Sequence, residues 1–355
     1  MKLLVVSLAT TVGWQVNEEE LTSGLERQDV DHAVVRVRLG PERHLRRSGF
    51  WPLVDAVEAA GARRALAAGL RDHPITAVIL LSTTAALLAP VGRLRAAGIP
   101  VAIRIDVPSA ISRPGIENAA QRLLERRRLR EATIVLATGP RSAALLSPLA
   151  PRVAVLPVPV AAAPGGAAGG GDVVTYAADP VNKGLDLVCR AWWALGERSA
   201  GRLLHVTGVS AERGRRLLLR AGIAEPPSLR WHGVLPRECH LALIREAAAY
   251  VSASAWEGAG IAQLEALAAG VPLVTTPSRG AYEAFEIARA LAPNLTAGGR
   301  DDAELTRALR AALEMPSEQR RRYAAAAAAA LEPFSREAAD RSLADQVLPQ
   351  LLSPR

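Results

Sequence analysis

The sequence predicts an α/β chain made of two parallel-sheet domains, and three observations carry that prediction. Residues 247–283 read as a strand, a glycine-bearing loop, a helix and a second strand. Strand and helix candidates alternate along the rest of the chain. A stretch rich in Ala, Pro and Gly at 158–171 interrupts that alternation near the middle, where a linker between two similar domains belongs. Units of β-α-β type build parallel sheets and leave their ligands at the carboxyl ends of the strands. A length of 355 residues gives two such domains ample core.

The elements follow in order. Residues 3–7 form an apolar strand that runs into a polar loop at 9–15. A polar helix is expected at 18–27 and a second strand at 32–37. Residues 38–51 are basic and show no period. Helical spacing returns at 53–70, a strand at 77–81, and a helix at 85–97 closed by Gly98. The next strand, 100–105, ends at Asp106, and Ser112-Arg113-Pro114-Gly115 reads as a turn. Residues 121–130 form a basic helix, expected to be mainly solvated. A strand at 132–138, a short helix at 140–146 and a strand at 153–157 complete a first domain, 1–157. A second domain, 172–330, has strands at 172–176, 203–207, 229–232, 249–253 and 271–275. Its helices fall at 185–195, 213–221, 238–247 and 261–269, with Gly270 stopping the last. Residues 288–292, 302–313 and 317–331 follow, and the tail 331–355 carries a final helix at 336–352.

Composition narrows the function. The net charge of +8 raises the expectation of acidic partners such as nucleotide sugars or anionic lipids. The excess is nearly all arginine, with Lys2 and Lys183 the two lysines, which fits the base composition of a GC-rich gene. Nucleic acid is not expected, because aromatics are 4% and are not interleaved with the basic residues. Cys189 and Cys239 stand in no metal-ligand spacing, so a reduced, cytoplasmic protein without structural zinc is expected. No apolar run reaches the ~18 residues that span a bilayer. Peripheral membrane contact stays open.

Chemistry concentrates in 254–272. Glu257 sits in the loop and Glu265 more than a turn into the helix, with seven residues between them. A helix separates them, so paired acid–base work is not their role. Each carboxylate can instead accept two O–H groups of a diol, and the helix N-terminus between them suits an anion. A ligand with sugar, phosphate and ribose in a row fits that order. The plain alternative is a surface Glu and a half-buried helix Glu.

The wording Ser254-x-x-Glu257-Gly258-x-Gly260, then Glu265-Ala266-x-Ala268-x-Gly270-x-Pro272-x-Val274, resembles the E-x7-E signature of family 4 retaining glycosyltransferases. That resemblance implies the GT-B fold, in which two Rossmann-like domains face each other across a cleft and a C-terminal helix returns to the first domain. It implies that Glu265 binds the nucleotide ribose, that Glu257 holds donor-sugar hydroxyls, and that the amides of Gly258, Ala259, Gly260 and Ile261 meet the sugar or diphosphate. Pro180-Val181-Asn182-Lys183-Gly184-Leu185 resembles the family's Arg-x4-Lys-Gly segment, so Lys183 would neutralise the diphosphate; otherwise it is a solvated turn lysine. The arginine of that segment is missing, since Ala178 stands there, and Arg279 and Arg113 are the candidate replacements. Related enzymes carry Gly-Gly in the first loop, where this chain has Gly13-Trp14. Trp14 either stacks on an acceptor or is a partly buried loop residue. The family's strand-end His-Asp is Ile105-Asp106 here, so Asp106 either faces the transferred sugar or caps a turn.

The resemblance is good over 172–283 and weak over 1–150. It implies a metal-independent transferase taking a nucleotide-diphosphate sugar as co-substrate, a UDP-sugar by family frequency, with no further cofactor. Proteins of this fold use positive side chains and helix dipoles where others use an Asp-x-Asp metal pair. The acceptor, small molecule, glycan or lipid-linked, is not legible. A sugar-nucleotide epimerase of the same fold, or a catalytically silent partner protein, are the alternatives.

Overall fold

The computed structural model describes residues 2–8, 12–37, 51–160, 171–226 and 228–352. Most of the expected linker, 161–170, and most of the basic loop, 38–50, lie outside the described residues. The chain divides into two compact units, one of Met1–Pro159 with Arg336–Arg355, the other of Val160–Ser335.

The first unit is a six-stranded parallel sheet. Its strands are β1 (Lys2–Ser7), β2 (His32–Arg36), β3 (Ile75–Leu80), β4 (Val101–Ile105), β5 (Ile134–Ala137) and β6 (Val153–Val155), in the order β2-β1-β3-β4-β5-β6. Its helices are α1 (Val12–Arg27), α2 (Trp51–Asp72), α3 (Thr83–Leu87), α4 (Val91–Ala96), α5 (Ser109–Ser112), α6 (Ala119–Glu131) and α7 (Pro140–Leu146). Apolar runs such as Leu3–Val6 are buried because helices cover both faces of the sheet. Leu4, Val78 and Ile103 pack with Leu66 and Leu129 on one face. Leu3, Ile79 and Leu136 pack with Leu21 and Leu25 on the other.

The second unit is a five-stranded parallel sheet plus a two-stranded ribbon. Its strands are β7 (Val173–Tyr176), β8 (Leu204–Thr207), β9 (Leu229–Gly233), β10 (Ala249–Ser252), β11 (Trp256–Glu257), β12 (Leu273–Thr275) and β13 (Arg279–Gly280). The large sheet runs β12-β10-β7-β8-β9, and β11 pairs with β13. The helices are α8 (Leu185–Ala194), α9 (Ala211–Arg220), α10 (Arg237–Glu246), α11 (Ile261–Ala268), α12 (Glu283–Leu291), α13 (Asp302–Leu313) and α14 (Ser317–Ala330).

The chain then returns to the first unit through α15 (Arg336–Ser342) and α16 (Leu348–Leu352). Leu343, Val347 and Leu351 are buried in the first unit's core. At roughly 1.5–3 kcal/mol per buried side chain, this segment adds several kcal/mol to that unit. Arg27 clamps it with a two-pronged bond to Asp340, at 2.7 and 2.8 Å.

Three details differ from the sequence expectation. Helix α1 begins at Val12, earlier than expected, and takes Gly13 into its first turn. The helix expected at 85–97 is two helices, because Pro90 has no N–H to continue the ladder. The final helix widens to an i→i+5 turn over Leu343–Val347, just before Pro349, which cannot donate to the preceding turn.

Candidate functional site

In the second unit the chain runs outward from β7 to β9, then returns to place β10 on the other side of β7. That reversal is a topological switch point, where loops after adjacent strands diverge and open a crevice at their carboxyl ends. The loops concerned are 177–184 after β7 and 253–260 after β10. Gly184 lets them press together. Its φ is +63°, and a Cβ there would lie 2.2 Å from the Ala253 carbonyl oxygen. Asn182 stitches the two loops. Its Nδ2 donates to the Trp256 carbonyl and its Oδ1 accepts the Trp256 N–H, both at 3.2 Å. Its own carbonyl accepts the Ala255 N–H at 2.7 Å. This stitching, with the β13 pairing, makes Glu257 part of a short strand and not of a free loop.

The stitched loops bring Lys183 and Glu257 together from 74 positions apart, with Nζ donating to Oε1 at 2.6 Å. Ser254 Oγ and Gln263 Nε2 donate to the same oxygen at 2.7 and 3.0 Å. Gln263 also donates to Ser252 Oγ at 2.9 Å, which ties the strand end to α11. Glu257 is 6% exposed, so its charge is held by this cage and not by water.

Glu265 lies on the buried side of α11 and accepts Arg237 from the start of α10, Nε at 3.1 Å and Nη2 at 2.8 Å. Both contacts fall on Oε1. Burial raises the Glu265 carboxyl above its ordinary value of 4.5, and Arg237 opposes that. Between the carboxylates, Gly260 sits at φ +79° above the Tyr282 ring, where a Cβ would meet Cε2 at 2.7 Å. Gly260 caps α11, so the first amides of that helix have no partner four residues back. Tyr176, at the end of β7, is raised by burial and by the fields of Glu257 and Glu265. His240 packs near it, ring centroids 5.5 Å apart, and accepts or donates at Nδ1 to Thr207 Oγ at 3.2 Å. Burial pushes His240 down to about 4, and its Nε2 is buried without a partner among the described residues.

Lys183, Glu257, the 258–261 amides and Glu265 are thus gathered in one unit. Arg279 is exposed in β13, its backbone opposite Trp256. Ala178, where an arginine was missing, has its carbonyl held by Arg213 Nη1 at 3.3 Å. The remaining expected residues belong to the first unit. Asp106 follows β4, and its carbonyl accepts Ser142 Oγ. Arg113 ends α5, with Nε 3.4 Å from Asp55 on α2 and Nη1 bonded to the Ser112 carbonyl at 3.2 Å. Gly13 is exposed in α1, and Trp14 is half-buried.

Sequence reasoning missed Arg237, Gln263, Asn182, Arg213 and His240. Gln263 had a signal, as the one amide on an otherwise apolar helix face. Arg237 had none, since its partner is 28 residues away. One Asp-x-Asp triplet does occur, Asp29-Val30-Asp31, but it enters β2, with Asp29 at φ 54° and Asp31 3.4 Å from Lys2. That is the amino end of the strand, away from its ligand-binding end. Among the described residues no group of three or more His, Cys, Asp or Glu is placed to hold a metal. Among the described residues no helix is long and apolar enough to cross a membrane.

Two Rossmann-like units of this kind are the GT-B fold, and solved glycosyltransferase structures share it along nearly the whole chain. Residues 167–330 match the family Glycosyl transferases group 1, a span that includes Lys183, Glu257 and Glu265. The chain is similar to the sucrose-phosphate synthase of Thermosynechococcus elongatus, with TM-score 0.73, 15% identity and 97% of each chain covered. It is similar to Anabaena HepE in complex with UDP and glucose, with TM-score 0.69, 15% identity, and 98% of this chain and 99% of that one covered. It is also similar to trehalose-6-phosphate from E. coli bound with UDP-2-fluoro glucose, with TM-score 0.72, 12% identity and 100% of each chain covered. No curated protein sequence matches the chain.

Proposed function

We propose that this protein is a retaining glycosyltransferase, moving a sugar from a nucleotide-diphosphate sugar, a UDP-sugar by preference, to a hydroxyl acceptor. One observation carries the reading. Both carboxylates of the E-x7-E pair receive their protein donors on Oε1 alone, three on Glu257 and two from Arg237 on Glu265. Among the described residues Oε2 of each is left for a ligand hydroxyl. An aligned, pre-charged acceptor of this kind suits a sugar diol at one end and a ribose diol at the other. The α11 amides between them suit the diphosphate.

In this reading the bond from the sugar's anomeric carbon to the diphosphate oxygen breaks. A new bond forms from that carbon to the acceptor oxygen on the same face. The acceptor proton passes to the departing diphosphate, so no protein nucleophile takes part. Charge accumulates on the diphosphate as the bond breaks, and Lys183 offsets it. Lys183 is already paired with Glu257, so the donor shares the ammonium rather than capturing a free one. Arg213, held against Ala178, supplies the second cation in place of the missing arginine. The likeness to structures solved with UDP supports a uridine donor.

The test is incubation with a panel of nucleotide sugars. Slow release of a nucleoside diphosphate, lowered in kcat by Lys183→Ala and only weakly restored by Lys183→Arg, supports the reading. An isomerised donor would indicate an epimerase. Binding without turnover would indicate a silent partner.

A further inference from the structure

The first unit carries a surface stripe that the donor chemistry does not use. Ile116 is 88% exposed and Leu123 is 71% exposed, although both are large and apolar. Ile116 opens the turn that leads into α6, and Ala119, Ala120 and Leu123 continue the same stripe at spacings of three and four residues. Arg126, Arg127 and Arg130 extend it at the same spacings, and all three are exposed. The opposite side of α6 is anchored by buried Glu125 and Leu129. Glu125 accepts the Ser109 N–H at 2.9 and 3.1 Å, which fixes how the helix is rotated.

The apolar tip is held firmly. Arg122 Nη1 donates to the carbonyls of Arg113 and Gly115, at 2.8 and 2.6 Å, and so staples the preceding turn to the helix. Arg127 shares Glu131 with Arg128, while Arg126 and Arg130 have no ion pair among the described residues. Glu117 is the one acidic side chain exposed along the stripe.

We infer that this stripe docks the protein on an anionic lipid bilayer, with α6 lying in the plane of the interface. The charge decides for such a surface: three exposed arginines face it against one glutamate. The arrangement agrees, because the stripe offers apolar tips at one end and basic side chains at the other. A helix of this pattern inserts its apolar tips among the acyl chains and lets arginine reach the headgroup phosphates. Two apolar tips are too few to bind without the charge, so association must depend on anionic lipid and on salt. The inference stands independently of the donor reading.

The experiment is co-sedimentation of the full chain with phosphatidylcholine vesicles, with and without phosphatidylglycerol. The protein is expected to sediment with the anionic vesicles alone and to be released at about 1 M salt, where the screening length is about 3 Å. Arg126→Glu with Arg130→Glu should weaken partitioning by at least about tenfold, given about fivefold per arginine near such a surface. Ile116→Ser with Leu123→Ser should weaken it too while leaving the salt dependence in place. These side chains are exposed, so matched melting curves serve as the folding control, and donor hydrolysis without vesicles should be unchanged. Equal sedimentation with neutral vesicles, none with anionic ones, or variants that bind like the parent would overturn the inference. Binding to polyglutamate but not to vesicles would overturn it in favour of an acidic protein surface.

Discussion

Glu265 combines burial with an arginine partner, and its two properties set a measurable pH dependence. Its carboxyl titrates above its ordinary value, and in the proposed reading the ionised form is the one that accepts ribose hydroxyls. Affinity for the free nucleoside diphosphate should therefore fall as pH drops through a value above 4.5. Glu265→Gln should remove that dependence and cost about 10- to 100-fold in affinity, the worth of a charge-assisted bond. Calorimetric titration across pH checks both; an unchanged affinity would remove the ribose assignment. His240 gives the opposite kind of test, in stability. It is buried neutral, pushed down to about 4 from 6.5. Between those values the unfolded chain takes up a proton that the folded chain refuses, so stability is present above about 6.5 and is lost as pH falls toward 4. The effect is on the order of 3 kcal/mol. Urea unfolding from pH 7 to 4 should show a steeper loss in the parent than in His240→Gln.

At the scale of elements, the site depends on how closely α8 meets β10. Gly184 permits that approach, and its added Cβ would collide with backbone rather than with a side chain that could rotate away. Gly184→Ala should cost at least about 1–2 kcal/mol from the left-handed conformation alone. It should also displace Lys183 from Glu257, so donor turnover falls further than stability explains. A melting curve and a hydrolysis assay on the same sample separate the two. This region was legible in advance because its residues are local. Glu257, Gly260, Glu265 and Gly270 lie within one β-α-β unit, and their spacing encodes strand, loop and helix directly. Arg237 and Asn182 were not legible as site residues, because strand order in the sheet brings them there and no local period records strand order. The break at Pro90 was readable from the proline, but the apolar period runs across it. The π-turn before Pro349 was hidden in the same way.

At the scale of the molecule, the alternation of elements foretold two parallel sheets, while sheet order and the switch point between β7 and β10 came only from the structure. The switch point explains why the motif residues of the second unit form a cluster. The first unit has its own reversal, between β1 and β3. A donor-binding protein should gain stability from its ligand, by about 2.7 kcal/mol at 100 times the dissociation constant. A thermal-shift series over nucleoside diphosphates thus identifies the base, and UDP is expected to give the largest shift.

The central claim is that Lys183 and Glu257 hold a nucleotide-diphosphate sugar at that switch point. The most direct measurement is single-turnover release of nucleoside diphosphate from the best nucleotide sugar, by the parent and by Lys183→Ala. The account predicts measurable release by the parent. In the variant it predicts a rate constant at least about tenfold lower, with weaker donor affinity, because the ammonium's contact strengthens as charge moves onto the leaving group. Equal rate constants and equal affinities in the two proteins would contradict it.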